Sequence, residues 1–161
     1  MEGRKGVALA LEALARVKTK GVNFQYRVGN IGPEVGHLRR LALRLGLASE
    51  ILFAPPLSGE AYQKELGATH IYLLPSFRES SGLTMMEAML AGCVPVVADC
   101  GGPGFVVTDE CGFKVPVSGH RRMAKEPTRC CGLLPMPSIL TSGLEVADCT
   151  SRRPRRKACL T

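Results

Sequence analysis

Between Pro75 and Gly104 the chain reads PSFRESSGLTMMEAMLAGCVPVVADCGGPG, and two carboxylates, Glu79 and Glu87, stand on either side of Gly82. A carboxylate accepts charge-assisted hydrogen bonds from paired hydroxyls, so it can fix the orientation and identity of a sugar or ribose. Leu83, Met86, Met89 and Leu90 recur at helical spacing beyond the candidate caps Ser80 and Ser81, and Gly92 marks a stop. A helix therefore opens near Gly82. Its first turn carries unpaired N–H groups and a partial positive charge, which suit a phosphate, and Gly82 lets a ligand approach the backbone closely. Glu79 precedes this turn and Glu87 lies more than one turn inside the helix, so the two would meet different parts of one elongated ligand. Exposed glutamates are common on helices, and a solvated pair with no shared role is the plain alternative.

The flanking elements would have to hold these groups. Tyr72-Leu73-Leu74 ends a buried-type strand, Pro75 closes it, and the polar run 76–81 is a loop at its carboxyl end, where open α/β sheets bind ligands. Upstream, the pattern predicts a helix over 7–17, a strand over 22–28, a turn over 29–33 and a helix over 34–45 with His37 facing solvent. A short strand over 50–54 follows, then a helix over 58–66 capped by Ser58 with Gly67 behind it, and a strand over 69–74 begun by His70. Downstream, 94–98 is a continuous apolar run of the parallel-sheet type, 101–104 a glycine loop on the same side as Glu79, and 112–117 a last strand. The alternation specifies a right-handed parallel α/β sheet.

At 161 residues and 45% hydrophobic content the chain suits one domain with a sizeable core. It shows neither an apolar run long enough to span a bilayer nor a signal-peptide core, so a cytoplasmic protein is expected, with peripheral membrane attachment as a second option. Seven cysteines without paired CxxC spacing point to reduced thiols and not to a disulfide framework or a zinc site. Cys93 and Cys100, at the ends of the 94–98 strand, read as small apolar filler. The net charge of +7 is uneven: residues 1–117 hold 12 Lys and Arg against 11 Asp and Glu, whereas residues 118–161 hold 9 against 3. The division expected is a folded unit over 1–117 and a basic, disordered tail over 118–161 broken by Pro127, Pro135, Pro137 and Pro154. Residues 152–157 (RRPRRK) could contact nucleic acid or an anionic membrane through phosphates, but without interleaved aromatics a solvated tail is favoured.

Glu79, seven residues, Glu87, then Ala88-Met89, Ala91-Gly92, Pro95-Val96-Val97 and Gly101-Gly102-Pro103 closely resemble the donor-site signature of retaining glycosyltransferases built from two Rossmann-like domains, the GT-B fold. Relatives of glycogen synthase, sucrose synthase and phosphatidylinositol mannosyltransferase share it. The resemblance covers residues 3–117 and implies a Rossmann-like, C-terminal donor-binding domain that takes a sugar from a nucleoside-diphosphate sugar with retention of configuration and without a metal or other cofactor. It implies that Glu79 holds the sugar hydroxyls beside the reacting carbon, Glu87 the ribose hydroxyls, and Gly82, Leu83 and Thr84 the diphosphate, with Gly101 and Gly102 lining the site. In such enzymes an Arg and a Lys ahead of the first helix grip the diphosphate. Here Gly3-Arg4 abuts Lys5-Gly6, so Lys5 carries over directly, while a frayed basic terminus competes with a catalytic role for Arg4. The glutamate often found just after the paired glycines is absent from 105–108, and Asp109-Glu110 comes late.

The resemblance also places the acceptor site, for a sugar, lipid or protein, in a separate N-terminal domain outside this sequence. In Rossmann order the first strand lies between the second and the fourth, and the strands read here begin with the second. Each buried backbone group left unpaired costs about 1–3 kcal/mol against a domain stability of about 5–15 kcal/mol, so another segment or chain is expected to fill that place. Two further classes stay open: a non-catalytic nucleotide- or sugar-binding module, and a nucleic-acid binder acting through the tail.

Overall fold

The computed structural model describes residues 5–29 and 32–117. Helices and strands alternate in the order α1 (Val7–Thr19), β1 (Tyr26–Val28), α2 (Val35–Arg44), β2 (Ile51–Phe53), α3 (Gly59–Ala68), β3 (Ile71–Leu74), α4 (Leu83–Leu90), β4 (Val94–Ala98), α5 (Gly101–Val106) and β5 (Phe113–Val115). Among the described residues every strand pairing is parallel. β1 pairs with β2, setting Arg27 opposite Leu52, while β3, β4 and β5 form a second sheet in which Leu73 faces Val96 and Val97 faces Lys114. This is a Rossmann-like parallel α/β architecture flanked by helices.

The two sheets share one core. Leu9, Leu11, Leu14 and Val17 of α1 are buried in a single cluster with Tyr26 and Val28 of β1, Ile71 of β3 and Val96 of β4. One helix thus covers both sheets on the same face. Side chains alternate along a strand, so Arg27 leaves β1 on the opposite face, and there its Nε meets Oε1 of Glu65 on α3 at 3.0 Å. On that face α3 and α4 bury Leu66, Ala88 and Cys93 against Tyr72 of β3.

Backbone alternation identifies the edges that face each other. Tyr26 N–H donates to the Glu50 carbonyl and Ala54 N–H to the Val28 carbonyl, so the backbone groups of Arg27 turn away from β2. Val94 N–H donates to the His70 carbonyl, so Ile71 and Leu73 turn away from β4. No described strand joins β1 to β3, although α1 and α3 reach both. That is the Rossmann order with its centre open, as read from the sequence.

Four local expectations are corrected. Only Tyr26–Val28 pairs within the strand expected over 22–28. Helix α3 runs through Gly67 to Ala68 and stops at Thr69, whose backbone is extended. The cap of α4 is neither Ser80 nor Ser81 but Gly82, in the left-handed region at φ 67°. The glycines expected as a loop form α5, because Pro103 falls in the first turn, where a missing N–H costs nothing. The tail expected over 118–161 lies outside the described residues. No described helix is long and apolar enough to cross a membrane.

Candidate functional site

The loop after β3 carries Glu79 and leads into Gly82, which opens α4. No side chain among the described residues caps this helix, and its intrahelical bonds begin with Met85 and Met86 N–H donating to the Gly82 carbonyl. The N–H groups of Leu83 and Thr84 therefore have no acceptor within the helix. Both residues are exposed, as is Glu87 one turn further on.

Lys5 arrives from a distant part of the sequence. Gly6, left-handed at φ 67°, packs so closely on the carbonyl of Pro75 that a Cβ there would collide with it. The start of α1 is thereby fixed to the carboxyl end of β3, and Lys5 Nζ lies 2.7 Å from Glu79 Oε2. Lys5 is 63% exposed and Glu79 only 19%, so a solvated ammonium meets a half-sheltered carboxylate. Exposed pairs of this kind contribute only about 0–1 kcal/mol, and an incoming anion can replace the carboxylate on Lys5 at little cost.

The paired glycines support this loop from behind. Gly102 N–H donates to the Glu79 carbonyl at 3.3 Å, and a Cβ at Gly102 would run into the carbonyl of Ser80. Gly101, expected beside it in the site, lies just as close to the Glu79 backbone. The Cys100 thiol donates to the Ser76 carbonyl at 3.4 Å. Gly102→Ala is expected to cost about 1–3 kcal/mol, the usual range for overpacking, and to displace Glu79. The denaturation midpoint reports the first effect and nucleotide affinity the second; an unchanged midpoint would show that the loop yields freely.

The sequence-derived residues thus divide. Lys5 and Glu79 are in direct contact, Gly101 and Gly102 hold the Glu79 backbone, and Leu83, Thr84 and Glu87 are exposed on the first two turns of α4, whereas Gly82 itself is buried against Pro103. Arg4 lies outside the described residues. One neighbour was not singled out from the sequence: Tyr72 of β3, whose hydroxyl donates to Thr84 Oγ1 at 2.9 Å. A tyrosine in an apolar strand just ahead of the loop was the available signal. Burial raises the Tyr72 phenol above its usual range, with Glu79 and Glu87 contributing in the same direction. The Cys93 thiol donates to the Leu66 and Thr69 carbonyls and is pushed up to about 11 by burial, as suits inert filler.

Residues 1–126 match the glycosyl transferases group 1 family. This chain belongs to that family. It is 32% identical over 130 residues to WcaL of Escherichia coli K12, which is named as a colanic acid biosynthesis glycosyltransferase; the match covers 76% of this chain and 32% of WcaL. Among solved structures, the pneumococcal O-GlcNAc transferase GtfA, in complex with UDP and GlcNAc, superposes with a TM-score of 0.70 at 18% identity, over 78% of this chain and 25% of GtfA. Anabaena HepE in complex with UDP-glucose gives a TM-score of 0.67 at 23% identity, over 82% and 36%. These likenesses establish the fold, one half of the GT-B type. The chain spans about a third or less of the length of the curated relatives it matches.

Proposed function

We propose that this chain is the donor-binding half of a retaining glycosyltransferase, which holds a nucleoside-diphosphate sugar while an acceptor is presented by a separate domain. The observation that carries this reading is the convergence of Lys5 and Glu79, 2.7 Å apart, beside a helix start whose Leu83 and Thr84 N–H groups lack intrahelical acceptors.

The chemistry follows from where charge develops. As the bond from the anomeric carbon to the diphosphate breaks, negative charge grows on the phosphate oxygens, and groups placed there in advance lower the barrier. The Leu83 and Thr84 amides and the Lys5 ammonium supply those groups without a metal. Glu79, released from Lys5, accepts from the sugar hydroxyls, and Glu87 accepts from the ribose hydroxyls. Reaction on one face retains the configuration, with the leaving phosphate taking the acceptor's proton. Because the GtfA and HepE structures hold UDP or UDP-glucose, uridine diphosphate is the first ligand to test.

Lys5→Ala is expected to lower UDP affinity about tenfold, the size of one lost charge-assisted bond, and to leave uridine binding unchanged. Calorimetric titration of both ligands checks this. Equal losses for UDP and uridine would remove Lys5 from the diphosphate.

A further inference from the structure

We infer that Tyr72 is a positioning residue for the diphosphate site, acting through the side chain of Thr84. This rests on the donor-site reading above and adds to it a residue that lies beneath the ligand and does not touch it.

The direction of one hydrogen bond carries the inference. Tyr72 OH donates to Thr84 Oγ1 at 2.9 Å, so the Thr84 hydroxyl is occupied as an acceptor and its own proton is left to donate. Thr84 is exposed in the first turn of α4, beside the N–H groups that an anion would use. Left to itself, a threonine side chain in the first turn of a helix can rotate among staggered positions, and its hydroxyl proton rotates to suit its surroundings. The bond from Tyr72 selects one rotamer and polarises the hydroxyl in the sense that strengthens its donation.

The phenol is well held. Tyr72 packs both against Leu66, Ala88 and Cys93 and against the cluster that includes Leu74, Met85 and Val97. Its ring is therefore fixed by both α3 and α4, while its hydroxyl reaches α4. Burial keeps the phenol protonated, and so donating, throughout the neutral range.

The test is calorimetric titration of the full chain with UDP and with inorganic diphosphate, which has no ribose. Tyr72→Phe and Thr84→Val are each expected to weaken both ligands by the same factor, about three- to tenfold, and the double variant to be no weaker than either single. Thr84→Ser, which keeps the hydroxyl, restores affinity. Glu87→Ala, by contrast, should weaken UDP alone. If Glu87→Ala weakens UDP while Tyr72→Phe binds both ligands as tightly as the unaltered chain, this inference falls and the donor-site reading stands. Losses from Tyr72→Phe and Thr84→Val that simply add would also overturn it, because a purely structural tyrosine would act independently of the hydroxyl. If the unaltered chain binds neither ligand, both readings fall together.

Discussion

Glu87→Ala is expected to weaken UDP binding about ten- to a hundredfold and to leave the affinity for inorganic diphosphate unchanged. Glu87 is exposed on the second turn of α4, clear of the first-turn N–H groups that would take phosphate, so its carboxylate meets a different part of an extended ligand. Two hydroxyls on adjacent ribose carbons present two donors to one carboxylate, and each charge-assisted bond is worth about 1.5–3 kcal/mol. Some of that is already spent on displacing water, hence the lower bound of tenfold. Titration calorimetry with the two ligands separates the ribose contribution from the phosphate one. Unchanged UDP affinity would remove Glu87 from the site.

The largest effect on stability is expected at Arg27. Its guanidinium lies 3.0 Å from Glu65 Oε1 and also donates to the Pro55 carbonyl at 3.0 Å, with side-chain exposures of 11% for Arg27 and 7% for Glu65. Arg27→Ala strands a buried carboxylate, a change that typically costs about 3–5 kcal/mol. Glu65 Oε2 has no hydrogen-bond partner among the described residues even with the pair intact. Burial raises the Glu65 carboxyl above its ordinary range, with Arg27 opposing the shift. For an acid whose folded pKa is raised, the stabilising contribution is fully present below the unfolded pKa and is lost as pH rises through the folded one. Without Arg27 the carboxyl should be raised further, so the deficit of Arg27→Ala should shrink between neutral and mildly acidic pH. Urea denaturation at both values tests this. A deficit that stays constant with pH would show that Glu65 is not the group left unpaired.

Much of this arrangement was legible in the residues. The apolar run 94–98 coincides with β4, because a strand buried on both faces needs no alternation and stands out from its polar flanks. The open centre between β1 and β3 followed from counting strands against the Rossmann order. Caps were less legible. Ser80 and Ser81 are good cap residues by type, but the left-handed backbone of Gly82 begins the helix without any side-chain bond. The glycines at 101–104 read as a loop, yet their lack of side chains lets α5 start directly against the Glu79 backbone.

Long-range pairs were the least accessible. Lys5 and Glu79 are 74 residues apart, and only the family resemblance suggested that they share a site. Arg27 and Glu65 meet because strand alternation turns Arg27 toward α3, and that requires knowing which residues of 22–28 pair; the structure limits them to Tyr26–Val28. Tyr72 reads as core because the other three residues of β3, Ile71, Leu73 and Leu74, are all aliphatic, and its hydroxyl bond to α4 depends on how that helix is set.

The most direct test of the central claim is a two-dimensional amide NMR titration of the isotopically labelled chain with uridine and guanosine diphosphates. A donor-binding half should give dispersed signals and saturable shifts with at least one nucleotide, concentrated at Lys5, Glu79, Gly82 to Thr84 and Glu87. Dispersed signals that respond to neither nucleotide, or that shift only at residues remote from the start of α4, would contradict it.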